Sequence, residues 1–313
     1  MIMNLSIFVK IVPIIFLIFF LYFPMGNLLF SLDELSNQSY IESLLTIGRT
    51  PYYLEVIGFT FLQALISTFL VMVVAMPCCY VLAKYKFPGK SIVLALLTVP
   101  FIMPPIVLVI ALLAFVGPNN PFMNMLVERL HFFDFGTGGN FLLILIAHVI
   151  FEFSIVIRLI SNFWSNLNRN MFEVAAVLGA SPSKIFINIT LPILKPAIIA
   201  AGSLVFMFTF TSFGVILILG GGFFSTVETE IYYSIFKYFD LTIVVALSFI
   251  QIIFTILILL IYSVFQSRAN RTLRLTQGEK RYMPVRSNKD FIQVCLFLVT
   301  TIIVLSPYLF LLS

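Results

Sequence analysis

The sequence predicts an all-α polytopic membrane protein, and its composition carries that prediction. Of the 313 residues, 61% are hydrophobic and only 10% are charged, and the mean hydropathy is +1.12. Apolar runs long enough to cross about 30 Å of hydrocarbon recur along the whole chain. In lipid only helices and closed barrels satisfy every backbone polar group. The composition therefore excludes a soluble domain of this length.

Seven apolar runs are interpreted as spans. They cover residues 8–30, 55–82, 92–116, 141–160, 197–219, 241–265 and 291–313. The first is too long for a secretory signal and lacks a cleavage site, so it is a retained helix. Pro100, Pro104 and Pro105 break the third run early, and a structural kink there is favoured over contact with a substrate.

Positive charge is distributed unevenly between the two sides of the predicted membrane. All but three of the 18 lysines and arginines fall on one side; the exceptions are Arg49, Arg129 and Lys237. The positive-inside rule places the larger set, and the N-terminus with it, in the cytoplasm. The net charge of +5 therefore reflects topology, and no nucleic-acid partner is expected.

The opposite side collects carboxylates, which are Asp33, Glu34, Glu42, Glu55, Glu128, Asp134, Glu228, Glu230 and Asp240. Solvated loops account for such a set. The alternative is a surface that receives a binding protein or a cationic substrate, and charge alone leaves both interpretations open.

Nothing in the sequence predicts a catalytic, metal or nucleotide site. Cys78, Cys79 and Cys295 lie in apolar runs and are interpreted as small hydrophobic residues. The link that ends at Lys90 resembles a phosphate-binding loop, but Lys84 stands where that loop needs a glycine. We therefore expect no cofactor bound by this chain and no ATPase activity of its own.

The stretch from Met171 to Pro192 predicts two short helices joined by a sharp turn. Gly179 stands where the first helix must end, because a left-handed residue there carries least strain as glycine. Ser181 can cap the second helix, with Pro182 at its first position. The first helix carries more apolar surface than two turns in water should expose. It either tucks against the protein's own membrane helices or docks onto a cytosolic partner.

This stretch resembles the EAA loop of ATP-binding-cassette (ABC) importer permeases. That pattern is Glu-Ala-Ala, three residues, Gly, nine residues, then Ile-x-Leu-Pro. The matching positions are Glu173, Ala175, Gly179, Ile189, Leu191 and Pro192, and Val174 is the single departure. The resemblance implies a loop that docks onto a pair of cytosolic ATPase subunits through Glu173, Ala175, Ala176, Gly179, Ser181, Pro182, Ile189, Leu191 and Pro192. ATP then acts through the partner subunit. In the family, ATP binding draws the loops together and turns the cavity outward.

Polar residues inside two of the spans are candidates for other roles. Thr209, Phe210, Thr211, Ser212 and Phe213 form a possible transport pathway, or their hydroxyls bond their own helix. His148 and Glu152 lie four residues apart on one face of the fourth span. Intramembrane ionisable groups are costly, so a mutual pair that fixes packing is favoured over a proton relay or a substrate contact.

A second, less specific resemblance runs from Phe206 to Gln251 and points to the thiamine and ferric-iron branch of these permeases, where one chain often carries two halves. The seventh span matches the first at Pro24 and Pro307. The predicted domains are a transmembrane permease domain over 1–266, with its coupling loop at about 162–196, and a basic linker over 267–290. Residues 291–313 are then the first helix of a truncated second half.

Together these features predict a type I importer permease in the bacterial inner membrane, with six core helices plus a seventh. It would take a small solute, thiamine-like or ferric iron, from an extracytoplasmic binding protein. A second permease half, or a second copy of the chain, would complete it within the membrane lipid. A proton-coupled secondary transporter that uses His148 and Glu152 is the alternative, and a non-transporting scaffold leaves the loop's spacing unexplained.

Overall fold

The computed structural model describes residues 11–23, 26, 40–116, 138–276, 278 and 282–311, and its architecture there is helical. The helices are α1 (Ile11–Phe20), α2 (Tyr40–Arg49), α3 (Pro51–Lys84), α4 (Lys90–Ile102), α5 (Pro105–Val116), α6 (Gly138–Ser165), α7 (Asn170–Val177), α8 (Pro182–Phe210), α9 (Gly214–Leu219), α10 (Val227–Tyr233), α11 (Leu241–Thr276) and α12 (Asn288–Leu311). Two short strands, β1 (Tyr85–Lys86) and β2 (Met283–Pro284), pair in parallel.

Among the residues that the structure describes, five helices are long and apolar enough to cross a membrane. They are α3, α8, α11, α12 and, within α6, the stretch Phe141–Ser165. The predicted spans 55–82, 141–160, 241–265 and 291–313 each lie on one of these helices or within two residues of its end. Part of the predicted first span forms α1. Pro24, on which the match to Pro307 depends, lies outside the described residues.

The third predicted span is bent. Helices α4 and α5 meet at 105°, and Met103 between them has an extended backbone (ψ 142°). A residue that precedes proline is pushed out of the helical region by the proline ring, and Pro104 and Pro105 follow directly. The kink predicted from the prolines is therefore confirmed, and the segment is not one straight helix.

The fifth predicted span, 197–219, is wrong as a single helix. Helix α8 begins fifteen residues earlier than predicted, at Pro182, and ends at Phe210, and α9 starts only at Gly214. The hydrophobic run continues across the gap, so hydropathy alone does not show the break. Hydroxyl groups near the end of α8 bond to its own carbonyl groups, as described below.

Helix α6 is central to the bundle. In its most apolar window 72% of the residues are buried, against 28–39% in the other four long helices. Phe153, Val156, Ile157 and Ile160 have essentially no exposed surface. They join the main hydrophobic cluster, to which α3, α5, α9 and α12 also contribute. An apolar side chain buried in this way contributes about 1.5–3 kcal/mol in water, and dispersion contacts supply the packing energy in lipid.

The chain divides into two compact units. The first comprises residues 1–57 and 230–252, and the second comprises 58–229 and 253–313. Within the first unit, the Tyr52 hydroxyl donates to Glu230 Oε2 at 2.8 Å. The second unit holds both strands, α6, α12 and the hairpin, which consists of α7, the turn after it and the first turn of α8 (residues 170–185). The helix assigned from the sequence to a second permease half thus belongs to the same compact unit as most of the preceding helices.

Candidate functional site

The first helix of the hairpin ends in a Schellman motif, the turn in which a left-handed residue closes a helix. Helix α7 (Asn170–Val177) is followed by Gly179 with φ 86°. The Gly179 N–H donates to the Ala176 carbonyl at 3.0 Å, and the Ala180 N–H donates to the Ala175 carbonyl at 3.0 Å. These two bonds satisfy carbonyl groups that a helix end otherwise leaves open. The predicted role of Gly179 in ending the helix is confirmed.

The second helix of the hairpin starts at Pro182, three residues after Gly179. Ser181 has an extended backbone (φ −67°, ψ 154°), its Oγ accepts from the Lys184 N–H at 3.4 Å, and Pro182 occupies the first helical position. This is the cap predicted from the sequence. Because of this cap, the chain forms a helix again immediately after the turn.

The tip of the hairpin is exposed. Val177 and Leu178 are 87% and 82% exposed, Val174 is 58% exposed, and neither α7 nor Pro182–Ile185 contains a buried residue. Of the two interpretations left open by the sequence, the one in which this apolar surface tucks against the protein's own helices does not fit this exposure. Phe172, half-buried against a small cluster around Leu194, is a contact at the base.

The predicted docking residues divide between the tip and the following helix. Glu173, Ala176, Gly179, Ser181 and Pro182 are exposed, and Ala175 is half-buried. Ile189 lies in a π-helical turn (Phe186–Thr190), and Leu191 and Pro192 begin the regular part of α8. Motif positions in the first group can meet a partner protein, whereas those in the second fix how the hairpin joins the bundle.

The five predicted pathway residues surround the break after α8. Thr209 and Phe210 are buried, Thr211 and Ser212 are half-buried, and Phe213 is 37% exposed. The Thr209 hydroxyl donates to the Val205 carbonyl at 3.0 Å, and the Thr211 hydroxyl donates to the Met207 carbonyl at 3.0 Å. Threonine hydroxyls that bond back in this way compete with the backbone and favour a helix end. The alternative in which the hydroxyl groups bond their own helix is thus observed for Thr209 and Thr211, and the transport pathway stays a prediction.

A buried polar cluster holds this break. The Gln63 amide Nε2 donates to the Thr209 carbonyl at 2.8 Å. His148 places Nδ1 2.9 Å from Ser67 Oγ and Nε2 2.9 Å from Ser212 Oγ. A neutral imidazole donates through one nitrogen and accepts through the other, so both contacts form at once. Because a helix broken in lipid needs other groups to satisfy its backbone, this cluster allows the break.

The favoured prediction, that His148 and Glu152 pair with each other, is wrong. Both ring nitrogens of His148 contact serines, and Glu152, which is 2% exposed, has an Oε2 atom without a hydrogen-bond partner among the described residues. Sequence reasoning missed Gln63 and Ser67. The signal was present, since Thr60, Gln63 and Ser67 recur at helical spacing in an otherwise apolar run.

The cluster predicts a stability effect. We expect His148→Leu to lower the free energy of unfolding by roughly 1–2 kcal/mol, the upper range for hydrogen bonds between membrane helices. Two serine hydroxyls lose their partner. Melting temperature in detergent measures the loss, and Ser165→Ala is the control, because Ser165 lies outside the cluster and its hydroxyl donates to the Asn162 carbonyl of its own helix. A variant that melts with the wild type would contradict the structural role.

An open groove of about 1670 Å³ lies beside the base of the hairpin. Most of its lining is apolar, and Phe69, Trp164 and Phe186 contribute to it. Lys84 and Arg169 add positive charge. Among the described residues, no group of three His, Cys, Asp or Glu side chains is placed to share a metal ion.

Apolar helices of spanning length and an exposed, capped helical hairpin indicate a membrane transport protein. The comparison with known families agrees. The chain belongs to the binding-protein-dependent transport system inner membrane components, whose family model matches residues 75–274.

Two relatives illustrate the similarity in sequence. The chain is 31% identical over 248 residues to the thiamine transport system permease protein ThiP of Brucella abortus, which covers 78% of this chain and 45% of that protein. It is 30% identical over 169 residues to the molybdenum transport system permease protein ModB of Azotobacter vinelandii, which covers 54% and 73% respectively. The chain thus spans about half the length of the thiamine permeases it matches.

Solved structures support the fold. A bacterial alginate ABC transporter in complex with an alginate pentasaccharide-bound periplasmic protein superposes with a TM-score of 0.62 at 15% identity, covering 88% of this chain and 97% of that chain. A second structure of a bacterial transporter that imports alginate gives 0.60 at 17% identity, covering 86% and 96%. The type I importer permease fold predicted from the Glu173 motif is confirmed.

Proposed function

We propose that this chain forms the membrane passage for thiamine or a thiamine-like solute, delivered by an extracytoplasmic binding protein. The observation that supports this proposal most strongly is the similarity to the thiamine permeases, which extends over 78% of the chain. The molybdenum permease relative covers 54%, so an oxyanion is the second candidate. Ferric iron, the other solute expected from the sequence, stays a prediction.

A separate ATPase supplies the energy and docks on the exposed hairpin tip. In support, Val177 and Leu178 form an apolar surface beside the exposed carboxylate of Glu173, and all three lie within one helical turn and its cap. Interfaces are held by such apolar anchors within a polar rim. By the distribution of positive charge, the hairpin and the N-terminus face the cytoplasm, where the ATPase resides.

A second permease domain completes the passage. The 313 residues contain one Glu173-type hairpin, whereas a pair of ATPase subunits calls for two. The second hairpin is provided either by another permease half or by a second copy of this chain, and the native mass of the purified complex distinguishes the two.

Uptake of labelled solute tests the proposal. Cells without their own thiamine uptake receive this chain with its cognate ATPase and binding protein. We expect accumulation of labelled thiamine that excess unlabelled thiamine abolishes and excess molybdate leaves unchanged. Uptake of labelled molybdate without uptake of labelled thiamine would replace thiamine with the oxyanion, and absence of uptake for both labelled solutes would contradict the proposed solutes.

A further inference from the structure

The base of the hairpin is attached by backbone hydrogen bonds to the end of another long helix. The Asn168 N–H donates to the Thr276 carbonyl at 2.8 Å, and the Gly278 N–H donates to the Asn166 carbonyl at 3.0 Å. Thr276 is the last residue of α11, and Asn168 lies two residues before α7 begins. We call these four residues, Asn166, Asn168, Thr276 and Gly278, the clasp.

The segment before α7 and the segment after α11 approach each other closely, and this approach depends on glycine at position 278. A Cβ atom there would lie 2.6 Å from Asn168 Cα and 3.0 Å from Asn168 Cβ. Real Cβ atoms do not approach a backbone atom so closely, so any side chain at 278 must push the two segments apart. The reciprocal hydrogen bonds of the clasp require this contact.

The loop before α7, residues 166–169, is also hydrogen-bonded to the end of α3. Arg169, the residue between the clasp and α7, donates from its guanidinium to the Lys84 carbonyl at 3.2 Å. The Asn168 side chain accepts from the Asn170 N–H at 3.0 Å and so orients the first turn of α7. The hairpin is therefore fixed at its base to the ends of both α3 and α11, while its tip has no buried residue.

A second brace joins the end of α3 to the start of α12. Tyr85 pairs with Met283 in the two-stranded sheet. Its hydroxyl donates to Asp290 Oδ1 at 2.7 Å and lies 2.7 Å from the side-chain amide of Gln293. Burial raises the pKa of the Tyr85 hydroxyl, which keeps its proton available for donation. Two strands of two residues are marginal alone, so these side-chain contacts hold the pairing.

We propose that Gly278 and Asn168 are positioning residues that convert displacement of the hairpin into displacement of α3 and α11. A force applied by the ATPase at the tip reaches α8 directly, because α8 begins in the hairpin. It reaches α3 and α11 through the base, where the clasp and Arg169 bond the hairpin to the ends of both helices. This inference rests on the proposed function, because it requires an ATPase bound to the hairpin. It adds a transmission element that lies outside the EAA-type motif.

Coupling between ATP hydrolysis and uptake tests the clasp in the purified, reconstituted complex. We expect Gly278→Val to keep the ATPase bound and hydrolysing ATP, while solute moved per ATP falls about ten-fold, within the usual range of coupling between sites. Gly278→Ala should lower the solute moved per ATP by a smaller factor. Tyr85→Phe, which removes the hydroxyl of the second contact, should lower it as well. Gly58→Ala is the matched control, since a Cβ there meets nothing within 4 Å.

The outcomes separate this inference from the proposed function. If the wild type couples hydrolysis to uptake and Gly278→Ala and Gly278→Val do so equally well, the clasp plays no part in transmission. A parallel fall in hydrolysis, uptake and membrane level in Gly278→Ala would also overturn it, because the residue would then serve folding alone. A wild-type chain that binds no ATPase would instead overturn the proposed function.

Discussion

Valine in place of Gly179 should abolish solute uptake while the protein remains in the membrane. Gly179 has φ 86°, and a β-branched residue there is strained by about 1–2 kcal/mol or more. Relief of that strain opens the turn and breaks the two backbone bonds from Gly179 and Ala180. Because α7 contains no buried residue, the bundle does not depend on the turn, and the loss falls on the ATPase contact.

Two measurements identify the cause. Co-purification of the ATPase should fail with Gly179→Val and weaken with Glu173→Ala, while the amount of permease in the membrane stays at the wild-type level. Gly222→Val is the matched control, since Gly222 also has a positive φ (80°) and open space for a Cβ but lies far along the chain from the hairpin. Normal uptake and normal ATPase binding in both hairpin variants would refute docking at this site.

The hairpin was predictable because its determinants are local. Gly179 and Ser181 act within a few residues of their positions, so spacing alone identifies the cap and the turn. The break after Phe210 was not predictable, because the apolar run crosses it and the stabilising groups, Gln63 and His148, come from other helices. The same reasoning explains the error at Glu152: helical spacing brought His148 near, but tertiary contacts with Ser67 and Ser212 took both ring nitrogens.

Removal of ATP should stop uptake completely, whereas collapse of the proton gradient should leave its initial rate unchanged. An importer driven by a separate ATPase draws no energy from proton movement through the permease. His148, the candidate relay residue, is held by two serine hydroxyls in a cluster that secures the α8 break. In proteoliposomes with ATP enclosed, a protonophore added before labelled solute makes the comparison direct.

Glu152→Gln sharpens that experiment. The amide preserves the shape of the buried side chain but carries no exchangeable carboxyl proton, so ATP-driven uptake should persist. A secondary transporter that relays protons through Glu152 would lose uptake with this substitution. It would also lose uptake when the protonophore is added at constant ATP, and that pair of results would establish the alternative.

The self-contained geometry of the hairpin has an evolutionary consequence. Its turn and caps are encoded within a dozen consecutive residues, from Asn170 to Ser181, and its tip contributes nothing to the core. A short stretch of this kind can be exchanged between related permeases by recombination, provided that the contact of Phe172 at its base is kept. If the ATPase docks on this tip, as proposed, specificity for one ATPase can diverge independently of specificity for the solute. Two importers in one cell can then come to use the same ATPase or different ones.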